Sequence, residues 1–352
     1  MKSITLIFLL FYTIASIATY PKSKYQKNDH VIYDVKKENG YYMIDYTFMD
    51  QTSNMVNIHL KFNESQVNKD IEKFGIPKSL LDEFEITPEA EAYRAETLKN
   101  GFFKVTGNNI VIDMNAAVNY YAPGYCKPIA EMLIENLRKN NLDTRHHRIE
   151  IAMKFTQDIP YAIPDNYEKK KYTGGALCPP ELLVEGYGDC DSKTILFAGI
   201  LAYMINPNDI LFVGQTNHML AAIENESIPG GTHFNFDEKK YYIAETAGPG
   251  RHAFGEKGKD FQSAANFEKL IFNHVVNTPP TKNKETKLST DNKYFTLQIE
   301  NLCKYTVKLI IRYKNIKGEW VFSDWTTLQK KDISSPLSTQ EKYFYLYAEK
   351  KK

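Results

Sequence analysis

The chain has 352 residues, 43% of them hydrophobic and 25% charged, which is typical of a globular protein large enough for roughly two or three domains. Its 44 Lys and Arg residues nearly balance its 43 Asp and Glu residues. That balance does not indicate a nucleic-acid partner.

The N-terminus has the pattern of a secretory signal peptide, predicted at residues 1–18. Lys2 precedes the apolar run ITLIFLLFYTIASIA, and the small residues Ser16 and Ala18 suit cleavage after Ala18. The alternative is an uncleaved membrane anchor, for which the run is short against the ~20 residues that span a bilayer. We therefore expect a secreted or periplasmic protein with no membrane span in its mature chain.

Residues 19–140 are predicted to form a mixed α/β region whose role the sequence does not indicate. The segments DHVIYDV, YYMIDYTFMD and NMVNIHLKF alternate apolar and polar residues as strands do, and NNIVIDMNAAVNYY indicates another strand. TPEAEAYRAETLKN has helical composition. PIAEMLIENLRKNN has apolar residues at helical spacing and is predicted to be the closing helix.

Residues 141–280 are predicted to form a second unit, which contains the candidate chemistry. It begins with a helix, RHHRIEIAMKFTQD, that Pro160 and Pro164 end. After a Gly- and Pro-rich loop, CDSKTILFAGILAYMI is almost wholly apolar after its first turn and is predicted to be a buried helix. DILFVGQ, HMLAAIE and KKYYIAET then follow as three strands, the last two joined by NESIPGGTHFNFDE.

The chain uses few cysteines: Cys126, Cys178, Cys190 and Cys303. Export permits disulfides, which four cysteines can form in three pairings, but four in a chain of this length are no disulfide framework. No C-x-x-C or H-x-x-x-H spacing occurs, and the adjacent His146 and His147 cannot both face one ion from a helix. We therefore expect no metal, and no cofactor is indicated.

Cys190 stands out because it lies between two aspartates in EGYGDCDSKT, at the start of the buried helix. Asp189 is placed as an N-cap, and the free N–H groups and dipole at a helix start lower a thiol pKa. Asp191 is expected to project about 100° away around the helix, and so not to oppose the thiolate. Gly186 and Gly188 allow a tight turn and close approach of a substrate.

A cysteine nucleophile needs a base and a group that orients the base. His218 begins the strand HMLAAIE, and Glu245 lies near the end of KKYYIAET. If these strands pair antiparallel, the start of one lies beside the end of the other. We therefore expect the Glu245 carboxylate to bind the imidazole nitrogen of His218 that faces away from the sulfur.

The stretch from Arg145 to Gly250 resembles the transglutaminase-like superfamily of papain-fold cysteine enzymes. The resemblance lies in FTQDIPY, PPELLVEGYGDCDSKTILFAGIL, NHMLAAI and YYIAET, and it is closest to bacterial secreted members, which are generally peptidase-like or uncharacterised. It implies Cys190 as nucleophile, His218 as base and acid, and Glu245 as the orienting carboxylate, although the superfamily more often has Asp there. It also implies Gln157 as a candidate oxyanion donor.

Each of these residues has a structural alternative. Cys190 is either the nucleophile or a buried structural cysteine, and His218 is either the proton shuttle or a histidine satisfied within its strand. Glu245 is either the orienting group or a surface carboxylate, and Gln157 either faces an oxyanion or caps a helix end.

A polar linker at residues 281–291 leads to a predicted all-β module at residues 292–352. KYFTLQIENLCKYTVKLIIRYKN, GEWVFSDWTTL and KYFYLYAE alternate as strands, and the module resembles a small β-domain of unknown function in exported bacterial proteins. Trp320 and Trp325 are five residues apart on one predicted strand, so they are expected to face opposite sides. An exposed ring would contact a glycan or a protein partner.

The sequence predicts an α+β fold with a papain-like, transglutaminase-like core. The expected function is an exported thiol enzyme that hydrolyses peptide or isopeptide bonds, or transfers the acyl group to an amine. Its expected partner is a protein or peptide substrate, with cell-wall material as one option. The alternative is a catalytically idle domain that binds protein or glycan.

Overall fold

The structure is a computed structural model that describes residues 25–81, 87–107, 109–165, 171–228, 230–258, 261–263, 265–274, 295–314, 320–330, 332–339 and 344–350. The signal peptide and the linker predicted from the sequence lie outside these residues. No helix within the described ranges combines the length and the apolar composition that crossing a membrane requires.

The described chain combines helices with antiparallel sheets, an α+β arrangement. The helices are α1 (Glu64–Lys73), α2 (Pro88–Asn100), α3 (Met114–Tyr121), α4 (Lys127–Lys139), α5 (Arg145–Asp158), α6 (Pro179–Glu185) and α7 (Cys190–Leu201). The strands of the first 274 residues are β1 (Ile32–Glu38), β2 (Tyr41–Met49), β3 (Met55–Asn63), β4 (Ile76–Pro77), β5 (Phe103–Thr106), β6 (Asn109–Ile112), β7 (Lys171–Tyr172), β8 (Ile210–Gln215), β9 (His218–Glu224), β10 (His233–Phe236), β11 (Lys239–Ala244) and β12 (Asn266–Lys269). Those of the C-terminal module are β13 (Phe295–Glu300), β14 (Val307–Lys314), β15 (Trp320–Phe322), β16 (Thr326–Leu328), β17 (Ile333–Thr339) and β18 (Tyr345–Lys350).

The three strands predicted near the N-terminus are present and form an antiparallel sheet in the order β1-β2-β3. Alternate residues of β2 are buried, as the alternating sequence pattern predicts. Their side chains join one continuous hydrophobic core that extends from Val31 to Leu270. The two regions separated at residue 140 in the sequence analysis therefore share a core.

The strand predicted in NNIVIDMNAAVNYY covers only the first part of that segment. β6 ends at Ile112, and the rest of the segment is helix α3. The change occurs at Asp113, whose carboxylate accepts a hydrogen bond from the backbone N–H of Ala116 at 3.0 Å and so caps the helix. The Ala residues that follow favour a helix over a strand.

A five-stranded sheet with the order β10-β11-β9-β8-β12 positions the candidate site, and every neighbouring pair in it is antiparallel. The three strands predicted from the sequence are β8, β9 and β11, and β10 lies in the Gly-rich connection between the last two of them. Helix α7 packs against β9. The side chains of α7 are almost all buried, as its apolar sequence predicts.

The C-terminal module has its own small core, formed by Val307, Leu309, Ile311, Tyr313 and Leu328. β14 lies at the centre of its larger sheet, with β15 and β16 along one side and β18 along the other. A second pair joins β13 and β17.

The prediction that the two tryptophans face opposite sides is wrong. Trp320 contacts Tyr345 and Trp325 contacts Tyr347, with ring centres 5.3 and 6.0 Å apart, and the two tyrosines share one face of β18. The predicted single strand is interrupted between β15 and β16, where the Ser323 hydroxyl accepts a bond from the N–H of Ile311 in place of a carbonyl. The interruption resets the alternation of side chains.

Candidate active site

The start of α7 has the predicted cap. Asp189 precedes the helix, and its Oδ1 accepts hydrogen bonds from the backbone N–H and the hydroxyl of Ser192, at 3.0 and 2.5 Å. Cys190 is the first residue of the helix and is only 8% exposed. Gly186 ends α6 with a φ of +71°, where a Cβ would lie 2.9 Å from the ring of Tyr33. Glycine is therefore needed for the chain to turn into the Cys190 helix.

The surroundings of the Cys190 sulfur differ from the expectation. The backbone N–H of Met219, which follows His218 in the chain, faces the thiol and acts to lower its pKa. The thiol also lies 3.6 Å from Oδ2 of Asp191, so that carboxylate does not project away. Burial, followed by the negative charges of Asp191 and Asp189, raises the thiol pKa well above its ordinary value. The predicted low pKa is wrong for the protein without substrate, because burial and carboxylate charge outweigh the helix dipole.

His218 and Glu245 form the predicted contact. β9 and β11 pair antiparallel, with Ala244 opposite Ala221, so the end of β11 lies beside the start of β9. Nε2 of His218 lies 2.8 Å from Oε2 of Glu245, which confirms the expected hydrogen bond. Because an ionised carboxylate only accepts, this bond places the ring proton on Nε2 and leaves Nδ1 as the acceptor.

The Glu245 carboxylate is buried but remains favourable to ionise. Its second oxygen accepts a bond from the N–H of Ala247 at 3.0 Å. Burial alone raises the pKa of the carboxyl, but the bond to His218, the charge of that imidazole and the Ala247 N–H together hold the pKa below its ordinary value. Glu245 is therefore suited to stabilise an imidazolium at His218.

Gln157 does not face an open site. Its side chain is fully buried, and its amide nitrogen donates to the carbonyls of Glu245 and His252, at 2.7 and 3.0 Å. Its amide oxygen accepts from Lys154 at 3.3 Å. Both amide hydrogens are thus engaged within the protein, so the expected role as oxyanion donor is replaced by one of holding the segment that carries Glu245.

Lys193 is a site residue that the sequence analysis did not single out. It lies three residues after Cys190 and is fully buried, and its Nζ donates to the carbonyls of Ile159 and Ala247 at 2.5 and 2.8 Å and approaches that of Gln157 at 3.4 Å. Burial lowers its pKa to about 7. The sequence signal was a lysine in the first turn of a helix predicted to be buried, because a buried amine needs a set of acceptors.

The turn that follows Glu245 is built around these contacts. Gly248 has a φ of +54°, and a Cβ there would lie 2.1 Å from the carbonyl oxygen of Gln157. The end of α5 and this turn therefore touch backbone to backbone. Gly258 packs on the carboxylate itself, since a Cβ at that position would lie 3.0 Å from Oε2 of Glu245.

One group of potential metal donors occurs in the part of the chain that the structure describes. Asp189, Cys190 and Asp191 bring ligand atoms within 4.8 Å of one another. Asp189 is occupied by Ser192, and the thiol lies against Asp191. Because the group is satisfied internally, we assign no metal to it.

Comparison with protein families, with curated proteins and with solved structures returned no match to this chain. The case for a function therefore depends on the geometry and chemistry of the site.

Proposed function

We propose that the protein is an exported thiol enzyme that acts on amide bonds, with Cys190 as nucleophile, His218 as base and acid, and Glu245 as the orienting carboxylate. The observation that supports this most directly is the hydrogen bond between His218 and Glu245, together with a buried thiol at the start of the helix that packs against the strand of His218. A helix that begins with the thiol and packs on an antiparallel sheet bearing the other two residues also supports a papain-like core.

In the proposed reaction His218 takes the thiol proton at Nδ1 while the sulfur attacks the carbonyl carbon of the amide. The imidazolium then gives this proton to the departing amine as the C–N bond breaks, which leaves a thioester on Cys190. Water attacks the thioester to complete hydrolysis, and an amine in place of water completes acyl transfer. Glu245 stays ionised throughout and stabilises the imidazolium.

The oxyanion of this reaction needs donors other than Gln157. The first N–H groups of α7 have no carbonyl partner within the helix, and they lie beside the sulfur. We assign the N–H of Cys190 as one donor, because charge that develops near a helix start is stabilised by fixed N–H dipoles.

A second candidate function is a catalytically idle domain that binds protein or glycan. The observation that favours it is the raised thiol pKa, since a neutral thiol is a weak nucleophile. In the enzyme proposal, deprotonation occurs only when a substrate is bound and His218 removes the proton during attack. The two proposals therefore differ in whether a substrate-like molecule reacts with Cys190.

The test is covalent labelling with peptide probes that carry an electrophile at the scissile position. Cys303 is exposed and would react without selectivity, so a Cys303→Ser protein serves as the parent. We expect labelling of the parent, none of a Cys190→Ala variant, and unchanged labelling of the control Cys178→Ala, which also removes a buried thiol.

Peptide cleavage by the parent, lost in Cys190→Ala, completes this test. Mass spectrometry with and without an added primary amine then separates hydrolysis from acyl transfer. A folded parent that neither labels nor cleaves any member of a peptide library, or a Cys190→Ala variant that still labels, contradicts the enzyme proposal.

A further inference from the structure

One face of the C-terminal module carries a cluster of exposed aromatic rings. Alternate residues of β14, from Val307 to Tyr313, pack in the module's core, so the side chains between them point to the opposite face. Residues directly opposite in antiparallel strands share a face, so β15 and β18 contribute to it as well. We call this surface the aromatic face; its rings, between 40% and 64% exposed, are Trp320, Phe322, Trp325, Tyr345 and Tyr347.

The rings are arranged around two cations of β14. The guanidinium of Arg312 lies 5.4 Å from the ring centre of Trp320 and 5.7 Å from that of Phe322. The Nζ atom of Lys308 lies 4.5 Å from the ring centre of Trp325. Since the two cations are four residues apart on one strand, their Cα atoms are separated by about 13 Å. The aromatic face therefore repeats one unit, a cation beside aromatic rings, along the strand direction.

The two cations retain their capacity to bind an anion. Among the described residues, neither Lys308 nor Arg312 lies within salt-bridge distance of a carboxylate. The attraction between a cation and a ring at an exposed site is weak, so it does not prevent either cation from pairing with an anion. Exposed aromatic clusters of this kind are typical of interaction sites rather than of inert surface.

We propose that the aromatic face binds an acidic polysaccharide. A sugar ring has apolar C–H faces and a polar hydroxyl rim, so it packs on an aromatic ring while its edge meets polar donors. A carboxylate on the sugar pairs with the guanidinium of Arg312 or the ammonium of Lys308 through charge-assisted hydrogen bonds. The repeated unit along one strand fits a linear polymer, and the open sheet surface accepts an internal segment of it.

Other partners fit this face less well. A nucleic acid presents a phosphate at every nucleotide and requires many cations, whereas the whole chain carries a formal net charge of only +1 and the exposed Glu349 lies directly opposite Lys308. Protein interfaces are depleted of lysine, but here Lys308 lies against one of the rings.

This proposal is independent of the chemistry at Cys190, because the module has a separate core. The chain contains two tryptophans in total, and both lie on the aromatic face. Intrinsic tryptophan fluorescence of the full-length protein therefore reports on this surface alone.

The experiment titrates the full-length protein with polygalacturonate and with the fully methyl-esterified form of the same polymer, which lacks the charge. We expect a change in tryptophan emission with polygalacturonate, and at least tenfold weaker binding of the ester. Lys308→Ala/Arg312→Ala should weaken binding of polygalacturonate at least tenfold. The control Lys304→Ala/Lys330→Ala removes the same charge from exposed positions outside β14, β15 and β18, and should bind like the wild type.

Several results would overturn the proposal: equal binding of acid and ester, equal binding by Lys308→Ala/Arg312→Ala, tighter binding of single-stranded poly-dT or of phosphatidylglycerol vesicles, or self-association through this face. Thermal unfolding verifies that the variants fold, and Phe322→Ala provides a second variant that leaves both tryptophans and both cations in place. Cys190→Ala should bind the polymer normally, so a failure of the enzyme proposal leaves this result unaffected.

Discussion

Charged side chains are buried and hydrogen-bonded around Cys190, whereas on the aromatic face they lie at the surface beside aromatic rings. At Cys190 the charges are buried, and Lys193 and Glu245 are bound by groups from distant parts of the chain. On the aromatic face Lys308 and Arg312 lie beside exposed rings. Buried and fully bonded groups hold one geometry in advance, which a reaction requires, whereas exposed rings and cations leave contact area for a partner. We therefore propose different tasks for the two regions, and mutations should affect them separately.

The largest expected effect is that of Glu245→Gln on turnover, a loss of about 10³- to 10⁴-fold. Glutamine keeps the shape and can still accept the N–H of Ala247, but its amide donates to Nε2 of His218 and so moves the ring proton to Nδ1, the wrong nitrogen for taking a proton from sulfur. Steady-state kinetics on a peptide cleaved by the wild type measures this.

Glu224→Gln, at the opposite end of β9, is the matched control and should keep normal turnover. Wild-type turnover by Glu245→Gln would show that another group orients His218. Polymer binding at the aromatic face should be the same in both variants, because neither substitution lies in the C-terminal module.

The next largest effect is that of Lys193→Met on stability, a loss of about 3 kcal/mol, because the carbonyls of Ile159 and Ala247 lose their buried donor. Burial lowers the pKa of Lys193 to about 7, so the unfolded chain binds more protons between about pH 7 and 10. In that window this residue makes stability rise with pH, and the variant should lack that rise.

Urea unfolding at several pH values measures both effects. Lys240→Met, at an exposed position of β11, should change stability by less than about 0.5 kcal/mol. A Lys193→Met protein as stable as the wild type would show that water satisfies the carbonyls and that the site is less tightly built than we describe.

A smaller effect is expected for Asp191→Asn in the Cys303→Ser parent. Removing the carboxylate 3.6 Å from the thiol removes a negative charge that raises the thiol pKa, so the midpoint of iodoacetamide alkylation against pH should fall by about one unit, equivalent to about 1.4 kcal/mol. The parent itself should have a midpoint above the ~8.5 of an ordinary thiol.

Asp209→Asn, before β8 and remote from the thiol, provides the control and should leave the midpoint unchanged. A midpoint in Asp191→Asn equal to or above that of the parent would contradict the assignment of Asp191 as the nearest opposing charge.

The smallest effect is expected for Trp325→Ala, which should cost less than about 1 kcal/mol because the ring is 43% exposed and its contacts are with Lys308 and Tyr347 on the surface. Leu309→Ala, in the core of the same module, should cost about 2–5 kcal/mol. Chemical denaturation of the full-length protein separates these values. A large loss in Trp325→Ala would show that the aromatic face stabilises the fold rather than serving a partner.

The sequence predicted correctly those contacts that depend on local pattern, and it failed where packing of distant segments decides the structure. The bond between His218 and Glu245 follows from antiparallel pairing of two short strands, which the alternation of HMLAAIE and KKYYIAET already indicates. Asp189 as a cap is likewise a local property. Both contacts needed only neighbouring elements.

The failed predictions needed the rest of the fold. The thiol pKa depends on burial and on the side-chain conformation of Asp191, neither of which a helical projection contains. The amide of Gln157 is directed by carbonyls 88 and 95 residues away. The two tryptophans share a face because one serine interrupts a strand, and a single interruption reverses every later alternation.

Lys193 has a consequence for how the protein matures. It joins the helix that begins with the thiol to the end of α5 and to the turn after Glu245, three segments that are distant in the sequence and cannot each keep these contacts alone. If the turn after Glu245 opened, the buried amine of Lys193 would lose the carbonyl of Ala247 as an acceptor. The backbone amides of this turn should therefore exchange hydrogen for deuterium only when the α7 helix and the sheet that it packs on unfold as well. Under the function that we propose, a chain still unfolded during export would carry Cys190, His218 and Glu245 without their arrangement, and would be inactive until folding is complete.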